Sequence, residues 1–165
     1  MQERSQKESP MAWTGSSCFR LVSLQCSASL AAGLLLLTGC GSPDQQLLGD
    51  GARAARDAAS EVATARITAQ TLLARKVWSR AADQVVTDAE TALGKVATTF
   101  DEQQPETAHS RRTYDTISDA LSQAESAVTA TRIAIRAGDE TALARQVPAL
   151  DLAAEHLREL GELAR

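Results

Sequence analysis

The residues of this chain that could do chemistry are few, and most stand apart. His109 and His156 are the only histidines. His156 has Glu155 beside it, Glu159 three residues on and Asp151 four residues before Glu155. On a helix that spacing puts an imidazole and carboxylates within one turn of each other. Such a donor set can hold a metal in a helical bundle, and His156 with Glu159 is the pair that could begin one. Di-iron bundles, however, need Glu-x-x-His on two helices, and residue 153 is alanine here, so that pattern fails. A solvated acidic face accounts for the same residues. His109 lies in a polar stretch with Arg111 and Arg112 and reads as exposed. The Arg111-Arg112 step could touch anionic lipid or a wall polymer, and a solvated helix face is the plainer reading.

Nucleophilic chemistry finds no framework. Serine, histidine and aspartate are all present, but no nucleophile elbow accompanies them. The glycines are scattered as breakers rather than gathered in a phosphate-cradling loop. The cysteines are Cys18, Cys26 and Cys40, and nothing after residue 40 is cysteine. A disulfide framework, a thiolate zinc site and a catalytic thiol are therefore excluded from the part beyond residue 40. A net charge of −4 without a basic stripe argues against nucleic acid. The expectation is a non-enzyme that needs no cofactor. Trp78 and Tyr114 are the aromatic residues with polar handles beyond residue 40. Trp78 reads as core or interface rather than a sugar-stacking platform, because no aromatic partner is near it in sequence.

The elements that carry these residues are helices. Charged residues make up 23% of the chain and apolar ones 44%, so it is not compositionally disordered. Aromatics are only 3%, and alanine, the best helix former, fills many apolar positions. The core must then be thin, with helix axes close together. Residues 52–99 contain no proline, and Gly94 is the lone breaker. Their apolar residues follow 55, 58, 62, 65, 69, 72 and then 78, 82, 85, 89, 92, 96, two helical series slightly out of phase. Continuity predicts one long helix over 52–99, hence three helices in all. A fold-back near residue 78 would give four. No glycine, proline or polar turn marks that point, so continuity is favoured.

Pro105 followed by Glu106 predicts a second helix over 105–137. Its face is Tyr114, Ile117, Leu121, Ala124, Val128, Thr131 and Ile135, the cleanest amphipathic series in the chain. Gly138 suits a left-handed helix end and Asp139 the N-cap of the next helix. The last helix is predicted over 140–164, with a face of Leu143, Val147, Leu150, Ala154, Leu157 and Leu160 and a kink at Pro148. The fold expected is an all-α, elongated antiparallel bundle over 52–165, of three helices or, by the fold-back, four.

Upstream the chain changes character. Residues 21–37 carry no charge, and 30–37 form their apolar core. Arg20 precedes them, and Met11 offers an alternative start that leaves a leader of more ordinary length. Such a run is about long enough to span a membrane, but Ser23, Gln25, Ser27 and Ser29 weaken its first half. It ends in Leu37-Thr38-Gly39-Cys40: an aliphatic residue, two small ones and a cysteine. These four resemble the lipobox of bacterial lipoproteins, and the resemblance covers about residues 11–42.

The resemblance implies that residues 1–39 are a signal peptide cut between Gly39 and Cys40. It also implies that Leu37, Thr38 and Gly39 are read by the lipoprotein signal peptidase, and that Cys40 carries a diacylglyceryl group. Two acyl chains anchor durably, at about 0.8 kcal/mol per buried methylene. Residues 40–51, with Gly41, Gly49 and Gly51, are expected to be a flexible tether. The functional expectation is an extracytoplasmic protein held to the bacterial cell membrane by lipid. Its helical domain would bind another envelope component or itself through an exposed apolar stripe. The alternative is an extracytoplasmic helical domain that binds a ligand or metal.

Overall fold

The computed structural model describes residues 42–163. They form four helices: α1 (Pro43–Leu73), α2 (Ser79–Asp101), α3 (Ala108–Ala137) and α4 (Glu140–Glu162). No strand occurs among the described residues. The helices run up, down, up and down. α1 packs against all three others and α3 against α2 and α4, while α2 and α4 do not meet. The bundle is therefore flattened, with α1 and α3 on its short diagonal.

Two expectations about α1 are corrected. The tether over 40–51 is far shorter than expected, because α1 begins at Pro43. Ser42 and Gln45 cap the start reciprocally: the Gln45 N–H donates to Ser42 Oγ at 3.3 Å and the Ser42 N–H to Gln45 Oε1 at 3.3 Å. Proline at the first helical position needs no partner for its missing N–H. Gly51 lies inside this helix because the packing demands it. A Cβ there would sit 2.3 Å from Ile117 Cδ1 and 3.3 Å from Phe100 Cε2.

The second correction concerns continuity. The predicted helix over 52–99 is two helices, and the bundle has four. α1 ends in a closed turn in which Arg75 takes a left-handed φ of 57°. The Lys76 N–H donates to the Thr71 carbonyl at 2.9 Å and the Arg75 N–H to the Leu72 carbonyl at 2.8 Å. This crossed pair is the Schellman ending, which glycine usually occupies. An arginine stands there instead, so no glycine or proline marked the break. The turn shifts the register of α2. Its buried face is Ala82, Val86, Ala89, Leu93, Ala97 and Phe100, not the 78, 82, 85, 89, 92, 96 series, and Trp78 and Val85 are exposed.

The other boundaries differ less. α3 starts at Ala108 rather than at Pro105, because Thr107 and Ser110 form a capping box. The Thr107 hydroxyl also donates to Asp44 Oδ1 at 2.9 Å, tying the start of α3 to the start of α1. Gly138, at φ 66°, and the Asp139 cap close the α3–α4 turn. α4 ends at Glu162 and runs through Pro148 without a split. Pro148 lies on its exposed side, where a carbonyl left without a helical partner can be hydrated.

Half of the buried apolar residues are alanine. On α1 the stripe is Ala52, Ala55, Ala58, Ala59, Val62, Ala65 and Ala69. Small side chains let this helix lie close to three neighbours at once. The wider layers are filled by Leu93, Ile117, Leu121, Leu150 and Leu157, all fully buried. Phe100 and Tyr114 stack with ring centroids 5.3 Å apart near the end where α1 begins.

Candidate functional site

The residues singled out for metal chemistry do not converge. His156 and Glu159 are both exposed on α4. Glu155 pairs with Arg158 at 2.5 Å, and Asp151 with Arg66 of α1 at 2.6 Å. Among the described residues, no group of three histidine, cysteine or acidic side chains is placed to share a metal ion. His109, Arg111 and Arg112 lie exposed on the first turns of α3. Leu37, Thr38, Gly39 and Cys40, like Met11, lie outside the described residues.

The strongest polar chemistry in the bundle is structural and sits between α2 and α3. The Arg132 Nε–H donates to Glu90 Oε2 at 2.5 Å, and the Thr129 hydroxyl to Glu90 Oε1 at 2.6 Å. One turn away the Arg136 Nε–H donates to Asp83 Oδ1 at 2.7 Å. Burial pushes the Glu90 carboxyl up, but its hydrogen bonds from Arg132 and Thr129 and the charges of Arg132 and Arg136 outweigh this and hold it below its ordinary value. Glu125 lies farther along the same seam, beside Gly94. Its burial, with the Asp101 and Glu90 carboxylates, pushes its pKa up. Glu90 is held by Arg132 and Thr129, and Asp83 by Arg136, so these side chains tie α2 to α3.

The outstanding surface feature is at the end of the bundle away from Pro43. Trp78 is 85% exposed, the most exposed large apolar residue among those described. An indole of this size left in water forgoes a large burial energy, of order 2 kcal/mol or more. It sits on the α1–α2 turn that Arg75 holds in a left-handed conformation. Backbone strain of this kind costs about 1–2 kcal/mol and concentrates at working surfaces. Leu72, Val77, Trp78, Ser79 and Glu140 help line a concavity of about 530 Å³ there.

Three more exposed large apolar residues lie toward the same end: Ile67 near the end of α1, Val85 near the start of α2 and Ile133 near the end of α3. From residue 67 to 82 the only charged side chains are Arg75, Lys76 and Arg80. Arg75 pairs with Glu140 across the neighbouring turn at 3.6 Å, with both side chains largely exposed. An exposed aromatic residue with arginine close by in the chain has the composition of a binding hot spot.

The sequence undervalued Trp78 because residue 78 fell on an apparent helix face. The available signal was the change of phase between the two apolar series. Proteins of known family bring no help, since no family model, no curated protein and no solved structure matches this chain.

Proposed function

We propose that this chain is a lipid-anchored, extracytoplasmic bacterial protein whose bundle is a non-enzymatic interaction module. Its contact surface is the tip around Trp78. Cys40 carries the diacylglyceryl anchor, and Leu37, Thr38 and Gly39 direct the cut that exposes it. The partner is another component of the cell envelope. The observation that carries this reading is the exposure of Trp78 on a strained, cation-flanked turn.

Two further observations support it. No described helix is long and apolar enough to cross a membrane, and a diacylglyceryl group on Cys40 would need none. The closest ion pairs between α2 and α3, Arg132–Glu90 and Arg136–Asp83, join helix to helix as a scaffold would. The apolar stripe on a long first helix, the basis of the earlier expectation, is replaced by this tip because that helix is broken.

Photocrosslinking in cells from position 78, compared with exposed position 122 on α3, tests the contact. A discrete adduct from 78 alone supports the reading, and no adduct from either position, or equal ones from both, refutes it. Trp78→Ala should leave folding unchanged within about 0.5 kcal/mol, because the side chain is exposed. It should weaken partner binding about 30-fold, the cost of losing a hot spot worth about 2 kcal/mol. Cys40→Ser should release the chain from membranes or leave its precursor uncut, and a membrane-bound product of mature size would sink the anchor.

A further inference from the structure

The start of α1 changes what a lipid on Cys40 would do to the bundle. Only Gly41 separates Cys40 from Ser42, the N-cap of the helix, so the chain takes two residue steps between them. Two residues reach at most about 7 Å even when fully extended. A chain anchored on Cys40 therefore cannot drift far from the headgroups at this end. The end of the bundle that holds Pro43, the first turns of α3 and the last turn of α4 is brought to the membrane surface. The Thr107–Asp44 hydrogen bond of 2.9 Å fixes the start of α3 beside the start of α1.

That end has a surface of suitable chemistry. A groove of about 350 Å³ lies between α1, α3 and α4, with Leu48, Ile117, Leu160 and Leu163 as its apolar lining and His109 and Arg112 on its rim. Leu163 is 55% exposed although it belongs to this apolar set. Arg111 and Arg112 stand on the same turn of α3, and both are exposed. Neither forms an ion pair with a carboxylate among the described residues. Apolar side chains beside free guanidinium groups match the boundary between acyl chains and lipid phosphates. The same end carries more carboxylates than arginines, among them Asp44, Asp101, Glu102, Glu106 and Asp115, so it is not basic as a whole. The groove and the two arginines together select which side meets lipid.

We infer that the bundle is seated on the bilayer through this groove, with Leu48 and Leu163 in the headgroup region and Arg111 and Arg112 against lipid phosphates. The inference rests on the lipidation of Cys40 proposed above. The seat would hold the bundle upright. α1 runs 25 residues beyond Leu48 to Leu73, so it would carry the turn that bears Trp78 about 38 Å from the level of Leu48.

The test uses the full lipidated chain, purified and reconstituted in vesicles of equal parts phosphatidylglycerol and phosphatidylethanolamine. Cys40 is the last cysteine in the sequence, so one introduced cysteine takes a spin label uniquely. Thr116→Cys places the label in the groove, and Trp78→Cys places it at the tip. Mass measurement of the mature chain comes first. A mass without diacylglycerol refutes the anchor itself and with it the seat.

With the anchor present, the groove label should show about a threefold higher oxygen-to-nickel accessibility ratio than the tip label, as expected for apolar groups that enter the boundary by 5–10 Å. Arg112→Glu combined with Leu163→Glu should abolish that difference while helicity and membrane attachment persist. Equal accessibility at the two positions overturns the seat and leaves the anchor intact. Dipolar broadening between labels at 116 would show a second copy covering the groove, which also overturns it.

Discussion

Replacing Arg75 with glycine gives opposite results for the two ways of reading residues 52–99. In the structure, Arg75 has φ 57° at the end of α1. A side chain in that conformation costs about 1–2 kcal/mol, and glycine removes the cost. Glycine also gives the unfolded chain more freedom, which costs about 0.5–1 kcal/mol. The Arg75–Glu140 pair is lost as well, but its side chains are 84% and 71% exposed, so it contributes only a few tenths of a kcal/mol. The net expectation is a gain of about 0.5 kcal/mol, which raises the melting temperature by about 2 °C.

In an unbroken helix over 52–99, the same glycine would sit in the interior and cost about 1 kcal/mol. Arg75→Ala serves as the control, because it removes the charge and keeps the strain. Urea and thermal unfolding followed by circular dichroism would read both variants. A loss of about 1 kcal/mol for glycine, with alanine neutral or stabilising, refutes the left-handed turn and the four-helix topology.

Gly51→Val should destabilise the bundle by about 2 kcal/mol or more, because even a Cβ there meets Ile117 Cδ1 at 2.3 Å; a neutral melt would contradict the close approach of α1 and α3. Glu90→Gln should cost about 1–2 kcal/mol at neutral pH through its weakened pairing with Arg132 and Thr129. Since the Glu90 carboxyl is held below its ordinary value, its contribution is present above about pH 4.3 and is lost as the pH falls through its folded value. The gap between wild type and variant in urea melts should therefore close in acid. Glu125→Gln should do the reverse. Burial and neighbouring carboxylates raise the pKa of Glu125, so its stabilising contribution is complete below the ordinary Glu range and is lost as the pH rises through its folded value. The variant should melt higher than wild type at pH 7 and at the same temperature in acid, and a lower melting temperature at pH 7 would overturn the assignment.

Much of the fold could be read from spacing. The face of α3 from Ile117 through Leu121, Ala124, Val128 and Thr131 to Ile135 is buried, and its regular step shows in the sequence because nothing interrupts it. The α3–α4 turn was equally plain, since glycine occupies the left-handed position and aspartate the cap. The α1–α2 turn has the same backbone geometry with Arg75 in place of glycine. Its energy comes from tertiary packing of the helices on either side, which no local residue pattern displays. The start of α1 was legible in principle, because Ser42, Pro43 and Gln45 form a capping signature. Gly49 and Gly51 obscured it, and Gly51 is there for a contact with residues far along the chain. The tip was hidden for a related reason: whether Trp78 is buried depends on the phase of α2, which the Arg75 turn resets.

The alanine stripe of α1 has a consequence for how this sequence can drift. A core of large side chains is injured mainly by truncation, which leaves holes. Along α1 there is little to truncate: Ala52, Ala55, Ala58, Ala65 and Ala69 are fully buried and already minimal. Enlargement is the damaging direction there, since each added methylene must push aside one of three neighbouring helices. A saturation scan of α1 should therefore show a row of positions that accept glycine or serine at modest cost and reject leucine and phenylalanine. Selection on this helix would act as a ceiling on side-chain size, and chains that share the fold could keep that row of small residues while losing nearly every other similarity.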